Sequence, residues 1–313
     1  MNHVSRQHSS DPVTLWQICD GKRGHQNQST GLIEALRRHA PLTVCRVAAP
    51  PLMRSLASCL NRKTPWARDL PPPQVAVGAG HATHAVLLTL RRVYRARTIV
   101  LMRPSLPLSW FDYCLVPSHD NPPVRDNVII TTGAVNPIQL QSNHDPGHGL
   151  ILVGGPSRHY RLDPVALLSR IRQLLAGHTR RYWTLSNSPR TPAQLTRELA
   201  GLEADGVDVV LWDQCDEGWL AGALARSSDV WVSEDSISMI YEALTAGCRV
   251  GLLPLPRKSA SRLHRAIDQL QHDRFVCTQD DWTSGAGLPV PPRPLDEANR
   301  CARLLLEMGL LTE

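Results

Sequence analysis

The stretch VTLWQICD at residues 13–20, followed directly by Gly21-Lys22-Arg23-Gly24-His25 and then by apolar residues at helical spacing over residues 29–39, decides the fold class. A short apolar run predicts a buried strand, the glycines a tight turn, and a spacing near 3.6 residues a helix. After the proline cluster Pro71 to Pro73 the unit recurs: a strand over residues 74–77, the loop Gly78-Ala79-Gly80-His81, and a helix over residues 83–93. Further strands are predicted at residues 98–102, 113–116 and 128–131. Strands that alternate with helices form parallel, doubly wound sheets.

Residues 136–149 lapse into Asn, Ser, His, Pro and Gly, a linker composition. The pattern then restarts with a strand at residues 149–153, the loop Gly154-Gly155-Pro156-Ser157 and a helix at residues 164–176. Strands at residues 182–186, 207–212, 230–232 and 250–253 complete a second sheet. The expected fold is therefore α/β: two tandem Rossmann-like, doubly wound parallel-sheet domains facing a cleft, at residues 11–140 and 149–290. Residues 295–311 read as an amphipathic helix packing back across the domains.

With 313 residues, two domains are the default. No run of eighteen apolar residues occurs, and residues 1–11 lack the apolar core of a signal peptide, so a cytoplasmic location is expected. Eight cysteines without a CxxC pair indicate neither a zinc knuckle nor a disulfide framework. Residues 1–145 carry 16 Lys/Arg against 8 Asp/Glu, whereas residues 146–313 carry 18 against 20. The net +6 is thus an N-terminal excess, suited to phosphates or an anionic membrane surface, or serving solubility alone. Over residues 50–73, Met53, Leu56, Leu60 and Trp66 interleave with Arg54, Arg62, Lys63 and Arg68. Such a segment can lie on a membrane surface or be an ordinary helix with snorkelling side chains.

Ligands of open parallel sheets bind beyond the carboxyl ends of the strands. Four loops qualify. At Gly154-Gly155-Pro156-Ser157, paired glycines let backbone amides approach a phosphate, or simply allow a tight turn. The segment SEDSISMIYEALTAG at residues 233–247 starts a helix whose amides, with Ser236 and Ser238, suit a diphosphate, and Glu242 can reach ribose hydroxyls. On the alternative reading Ser233, Asp235 and Ser236 only cap that helix. His25, in the first loop, can deprotonate an acceptor hydroxyl or merely bond a loop carbonyl, while Lys22 and Arg23 can meet phosphate. Ser118-His119-Asp120 offers a second candidate base, His119, with Asp120 to orient it, and shares its side of the sheet with Gly78, Gly80 and His81. Arg190, beyond Ser186 at a strand end, can neutralise a leaving diphosphate without a metal, and no DxD pair stands in a suitable loop. Trp212 sits where a nucleobase could stack, or belongs to the core.

The spacing of Glu234 and Glu242, seven residues between them, resembles the E-x7-E signature of retaining B-type glycosyltransferases. The loop with His25 resembles the glycine-rich loop ending in histidine of lipid-linked sugar transferases. More specifically, the chain resembles the ELM-type family, named for a plant mitochondrial-fission factor and also described as bacterial glycosyltransferases. The resemblance is carried by Gly21-Lys22-x-Gly24-His25-Gln26-Asn27-Gln28-Ser29, Gly154-Gly155-Pro156-Ser157, Ser188-Pro189-Arg190-Thr191-Pro192 and Asp235-Ser236-x-Ser238-Met239. It implies a metal-independent transferase with an acceptor-side N-terminal domain that uses Gly21, Lys22, Gly24 and Gln28. The C-terminal domain would hold a nucleotide-sugar donor, and the product would belong to a cell-surface glycan or lipid-linked acceptor of the lipopolysaccharide-core kind. Among the E-x7-E residues, Glu234 would be catalytic.

Three other readings compete. Non-hydrolysing sugar-nucleotide epimerases share the architecture and the diphosphate helix. An NAD-dependent epimerase fits poorly, because Gly78-x-Gly80 is followed by Thr83 and no acid stands between Gly80 and Asp112 to hold a ribose. A non-catalytic interaction module that keeps the fold, as the fission name suggests, is the third. Nucleic-acid binding is disfavoured, since no recognised reading motif accompanies the basic excess. The stereochemical hints conflict: E-x7-E suits retention, a histidine base inversion.

Overall fold

The computed structural model describes residues 12–177, 182–282 and 287–311; the stretch through Asp11, read above for a leader, lies outside the described residues. The chain forms two compact units, the first running to Pro137 and resuming at Glu297, the second covering Ile138–Asp296. Each is built on a six-stranded parallel sheet covered by helices, so two tandem Rossmann-like domains are the fold.

In the first unit the strands are β1 (Val13–Cys19), β2 (Leu42–Ala48), β3 (Val75–Ala79), β4 (Arg97–Leu101), β5 (Tyr113–Pro117) and β6 (Val128–Thr131), in the order β2-β1-β3-β4-β5-β6. Alternation along each strand sends side chains to both faces. Leu15, Val75, Val77, Ile99 and Leu115 meet helix α1 (Arg23–Arg37), while Trp16, Ile18, Ala76, Val100 and Val116 meet α3 (His81–Tyr94). Helix α2 (Leu52–Asn61) packs on α3. Strand β2 escaped the sequence reading because it is an edge strand: only Val47 is buried, and Arg46 interrupts its apolar run.

The second unit has strands β7 (Asp145–Leu152), β8 (Tyr182–Ser186), β9 (Val207–Val209), β10 (Ser227–Ser233), β11 (Arg249–Leu253) and β12 (Val276–Thr278), in the order β12-β11-β10-β7-β8-β9. Its helices are α4 (Pro164–Gly177), α5 (Ala193–Ala200), α6 (Trp219–Arg226), α7 (Ile237–Ala246) and α8 (Arg262–His272). Two tryptophans fill the core by lying over glycines on the neighbouring strand. Trp183 pairs across from Gly149 and Trp231 from Gly251, and a Cβ on either glycine would collide with the indole. Helices α5, α6 and α8 and strand β12 lie outside the elements that the sequence predicts: all are eleven residues or shorter, and α5 and α8 are rich in polar side chains.

The final helix, α9 (Glu297–Glu307), belongs to the first unit. Ala298, Cys301, Ala302 and Leu305 join the α1 face of the first sheet. Glu297 accepts the Thr132 N–H at 2.9 Å and pairs with Arg300, which tie the helix beside β6. Small residues at the contact let α9 approach α1 closely, so the helix completes the first unit.

Both sheets reverse their winding at one place, between β1 and β3 in the first unit and between β7 and β10 in the second. Crevices form there because the flanking connections leave in opposite directions. The residues just past those four strands are therefore the ones placed to bind.

Candidate functional site

In the first unit, β1 ends at Cys19 and the chain turns at Gly21, whose φ of +83° favours glycine. Helix α1 begins two residues later, so His25 stands in its first turn rather than in a free loop. The Lys22 N–H donates to Asp20 Oδ1 at 3.1 Å, and His25 Nδ1 lies 2.7 Å from Asp20 Oδ2. Burial alone would push the Asp20 carboxyl up. The bonds from His25 and the Lys22 amide, together with the charges of both residues, outweigh it and hold the carboxyl below its ordinary value. An ionised carboxylate accepts, so the proton of a neutral His25 sits on Nδ1 and the Nε2 lone pair is left to act.

Gly80, just past β3, makes this possible: a Cβ there would overlap His25 Nδ1. Gly78 plays a packing part, since its Cβ would meet Thr83 at the start of α3. His25, Lys22, Gly80 and His81 line a cavity of about 140 Å³ together with His84, Met102 and Arg103. His81 Nδ1 is 3.1 Å from Ser105 Oγ. Burial, helped by the neighbouring His81, pushes His84 down to about 4, so it is neutral near pH 7. Arg103 is steered into the cavity by the carbonyls of Asp120 and Asn121, at 2.7 and 3.3 Å. His119 and Asp120 are not among the lining residues. Their short turn positions Arg103 through the Asp120 and Asn121 carbonyls, and His25 has the Asp20 carboxylate beside it. Gln28 reaches Met102 Sδ at 3.5 Å, while Gly24 has open space where a side chain would project.

In the second unit three loops interlock. Thr191 donates to the Gly154 carbonyl, and Arg190 donates to Asp235 Oδ2 at 2.8 Å and to Ser236 Oγ at 3.1 Å. Gly154 N–H donates to Ser233 Oγ at 2.8 Å and Gly155 N–H to Asp235 Oδ2 at 3.0 Å. The two amides expected to face phosphate are thus spent inside the protein. The glycines serve contact: a Cβ on Gly154 would overlap Ser236 and Asp235, and one on Gly155 would overlap Arg190. Ser233 also donates to Asp235, whose side chain is 0% exposed, whereas Arg190 is 46% exposed and keeps a face toward solvent.

Because Ser233, Asp235 and Ser236 turn back toward this knot, they do not cap α7 as the sequence suggested; its N-cap residue, Ser236, makes no side-chain cap bond. The first turn of α7 lies beside Arg190 and carries the exposed Ser238, and a helix N-terminus of this kind favours negative charge. Met239 packs on the core and Glu242 is half-buried one turn farther along. Ser186 is buried, its hydroxyl 3.9 Å from Cys215 Sγ, and the Ser157 hydroxyl accepts the His159 and Tyr160 amides. These two hydroxyls support loops. Trp212 is half-exposed, with its amide held by Asn187 Oδ1 at 2.9 Å beside the Arg190 loop.

Glu234 faces the other way. Its carboxylate accepts from Leu255 N–H at 3.2 Å and Arg257 at 3.1 Å, which fixes the loop after β11. That loop and α8 enclose a second cavity of about 370 Å³, lined by Arg257, Lys258, Ser261, His264, Arg265 and Asp268. Lys258 donates to the Ser157 carbonyl at 2.7 Å, so this cavity adjoins the glycine loop. His264 Nε2 and the Tyr160 hydroxyl are buried there with no hydrogen-bond partner among the described residues, their rings 4.8 Å apart. Burial first, then the Glu234 charge, raises the Tyr160 phenol above its ordinary value.

Sequence reasoning missed Asp20, His84, Arg103 and the Arg257–His264 group. Asp20 had a signal, an acid at the very end of the first strand five residues before His25, and His84 had one in its spacing of three from His81. Arg103 and His264 had none, because only the folding of distant loops brings them to a cavity.

The model of the family described as Mitochondrial fission ELM1 matches residues 23–308, and the chain belongs to that family. The Mitochondrial fission protein ELM1 of Arabidopsis thaliana is 24% identical over 217 residues, covering 56% of this chain and 50% of that protein. The chain thus spans about half the length of the curated relative it matches. Among solved structures, the UDP-GlcNAc 2-epimerase from Neisseria meningitidis bound to UDP-GlcNAc superposes with a TM-score of 0.57 at 11% identity, over 95% of this chain and 100% of that one. The glycosyltransferase SnogD from Streptomyces nogalater gives 0.51 at 14% identity, over 96% of both chains. MurG of Acinetobacter baumannii gives 0.50 at 13%, over 96% and 93%. At such identities these likenesses establish the fold, one shared by B-type glycosyltransferases and epimerases. Among the described residues, no helix is long and apolar enough to cross a membrane.

Proposed function

We propose that this member of the ELM1 family is a glycosyltransferase that moves a sugar from a nucleoside-diphosphate sugar to an acceptor hydroxyl. The observation that carries the reading is the 2.7 Å pairing of His25 with buried Asp20 at the edge of a polar cavity. A base held in one tautomer by a carboxylate is the arrangement that hydroxyl deprotonation requires. A cavity of about 140 Å³ suits the reacting end of an acceptor rather than a whole nucleotide sugar. Lys22 and Arg103 suit an acceptor that carries phosphate.

In the step proposed, His25 Nε2 takes the acceptor proton as the acceptor oxygen bonds to the anomeric carbon. The bond from that carbon to the diphosphate breaks, and its electron pair leaves with the phosphate oxygen. The first-turn amides of α7 and the open face of Arg190 stabilise the departing charge, which removes the need for a metal. Glu242 would meet ribose and Trp212 the base. Single displacement inverts the anomeric centre, and the engagement of Glu234 by Arg257 speaks against a direct part for it in the step. The acceptor class is a cell-surface glycan or a lipid-linked one, reached from the cytoplasmic side.

The test is a thermal-shift screen with UDP, GDP, ADP and CMP and their sugars on the wild type and on Arg190→Ala and Glu242→Ala, since a ligand of the native state raises Tm. A shift with one nucleotide series, lost in the variants, supports the donor site; no shift with any series sinks the reading. The epimerase alternative makes the same donor site but needs no acceptor. Conversion of the bound donor into its epimer by protein alone would establish it, whereas acceptor-dependent release of diphosphate, lost in His25→Ala, would establish transfer.

A further inference from the structure

Helix α2 is built the wrong way round for a globular surface. Its buried side chains are Ser55 and Ser58, while Leu52, Met53, Leu56 and Leu60 are 63%, 76%, 45% and 79% exposed. At helical spacing those four residues share one face, whereas the serines occupy another. Polar bonds fix the orientation: the Thr89 hydroxyl donates to the Ser55 carbonyl at 3.1 Å, and the Trp66 indole donates to Ser58 Oγ at 3.0 Å. Rolling the leucines inward would break both bonds and move the half-buried Trp66 indole away from its acceptor. The exposed apolar stripe is therefore a property of the fold.

The charge around it has one sign. Over α2 and the segment that follows it, residues 52–68, the chain carries Arg54, Arg62, Lys63 and Arg68 and not a single acid. Arg54 lies on α2, and Arg62 and Lys63 follow its end, all exposed. We propose that α2 docks this unit on an anionic lipid surface, with the leucine stripe entering the headgroup–acyl boundary and the arginines and lysine meeting lipid phosphates. An apolar face flanked by cations alone is the pattern that such surfaces select, because apolar burial and electrostatic attraction then act together. The lipid reading is preferred to a protein groove because a partner protein would have to match at least three cations around one short helix, and residues 52–68 supply no acid to offset them.

Sedimentation of the full chain with vesicles tests it. Phosphatidylcholine vesicles containing about one third phosphatidylglycerol should bind the protein, pure phosphatidylcholine should bind it far less, and added salt should weaken the binding. The pair Leu56→Glu and Leu60→Glu, both at exposed positions, should weaken binding at least about tenfold with an unchanged Tm. The pair Arg54→Glu and Lys63→Glu should weaken it and reduce its salt dependence. Failure of the wild type to bind anionic vesicles, or undiminished binding by the leucine pair, overturns the proposal. So does a wild-type dimer in sedimentation equilibrium that the leucine pair converts to monomer, which would assign the stripe to a second copy of the chain. None of these readouts uses nucleotide binding or turnover, so they stand apart from the transferase reading.

Discussion

Gly80 and the Gly154-Gly155 pair each lie just past a central strand beside the reversal of its sheet, and a Cβ at any of the three would overlap a neighbouring segment. What enters that room differs. At Gly80 it is His25, held by one carboxylate and lining a cavity with further titratable side chains. At Gly154 and Gly155 it is Asp235, Ser236 and Arg190, whose bonding groups are largely spent on one another. The same kind of strand end thus yields an open cavity lined by titratable side chains in one unit and a closed, hydrogen-bonded scaffold in the other, with the exposed face of Arg190 and the start of α7 at its rim. A glycine at a strand end signals close approach; the partner that approaches decides whether the place is chemical or structural.

Asp20→Asn should break the open site with the largest effect. The amide cannot support the imidazolium that forms on His25, and kcat/KM for transfer is expected to fall about a thousandfold with little change in donor affinity. The depressed carboxyl of Asp20 also contributes stability that is present above the ordinary Asp range and lost as pH falls through its folded value. Acid titration of urea stability should show that loss in the wild type and not in the variant.

Asp235→Ala should act on the closed site as a structural lesion. It strips buried Gly155 and Ser233 donors and Arg190 of their acceptor, so the cost is about 3 kcal/mol in urea unfolding of the second unit. A loss below about 1 kcal/mol would mean that the knot is looser than its bonds suggest.

His84 sharpens the contrast through pH. Its folded value, about 4, lies below the unfolded one near 6.5, so the unfolded chain takes up the proton first as pH falls through that window. Stability should be complete above about pH 6.5 and decline by up to about 3 kcal/mol toward pH 4, and His84→Gln should flatten that slope. The smallest effect is expected at Ser261→Ala. Ser261 caps α8 by accepting the His264 amide, a bond worth about 1 kcal/mol, whereas the N-cap of α7 has no such side-chain bond to lose.

Much of the fold is legible because central strands buried on both faces read as short, mainly apolar runs, as in VAVGA and the TIVL of β4. The loops after them follow from glycine and polar punctuation, which marks His25, Gly80, Gly154, Gly155, Arg190, Asp235 and Ser236 as candidates from the sequence alone. Their roles were less legible. Ser233 and Asp235 resemble helix caps locally, and only the proximity of Gly154 and Gly155 turns them backward. Glu234 fits a spacing pattern, yet Arg257 from the next loop claims its carboxylate.

By itself the sequence determined the two parallel α/β sheets and the positions of their binding loops, since apolar periodicity and turn residues are local and act within a few residues. The tertiary structure alone decided which polar groups are consumed and which stay open, and that α2 faces outward with its leucines. The reason is that hydrogen bonds such as the one from Gly154 to Ser233 join residues 79 apart, and burial is settled by where the chain packs, not by the pattern along it.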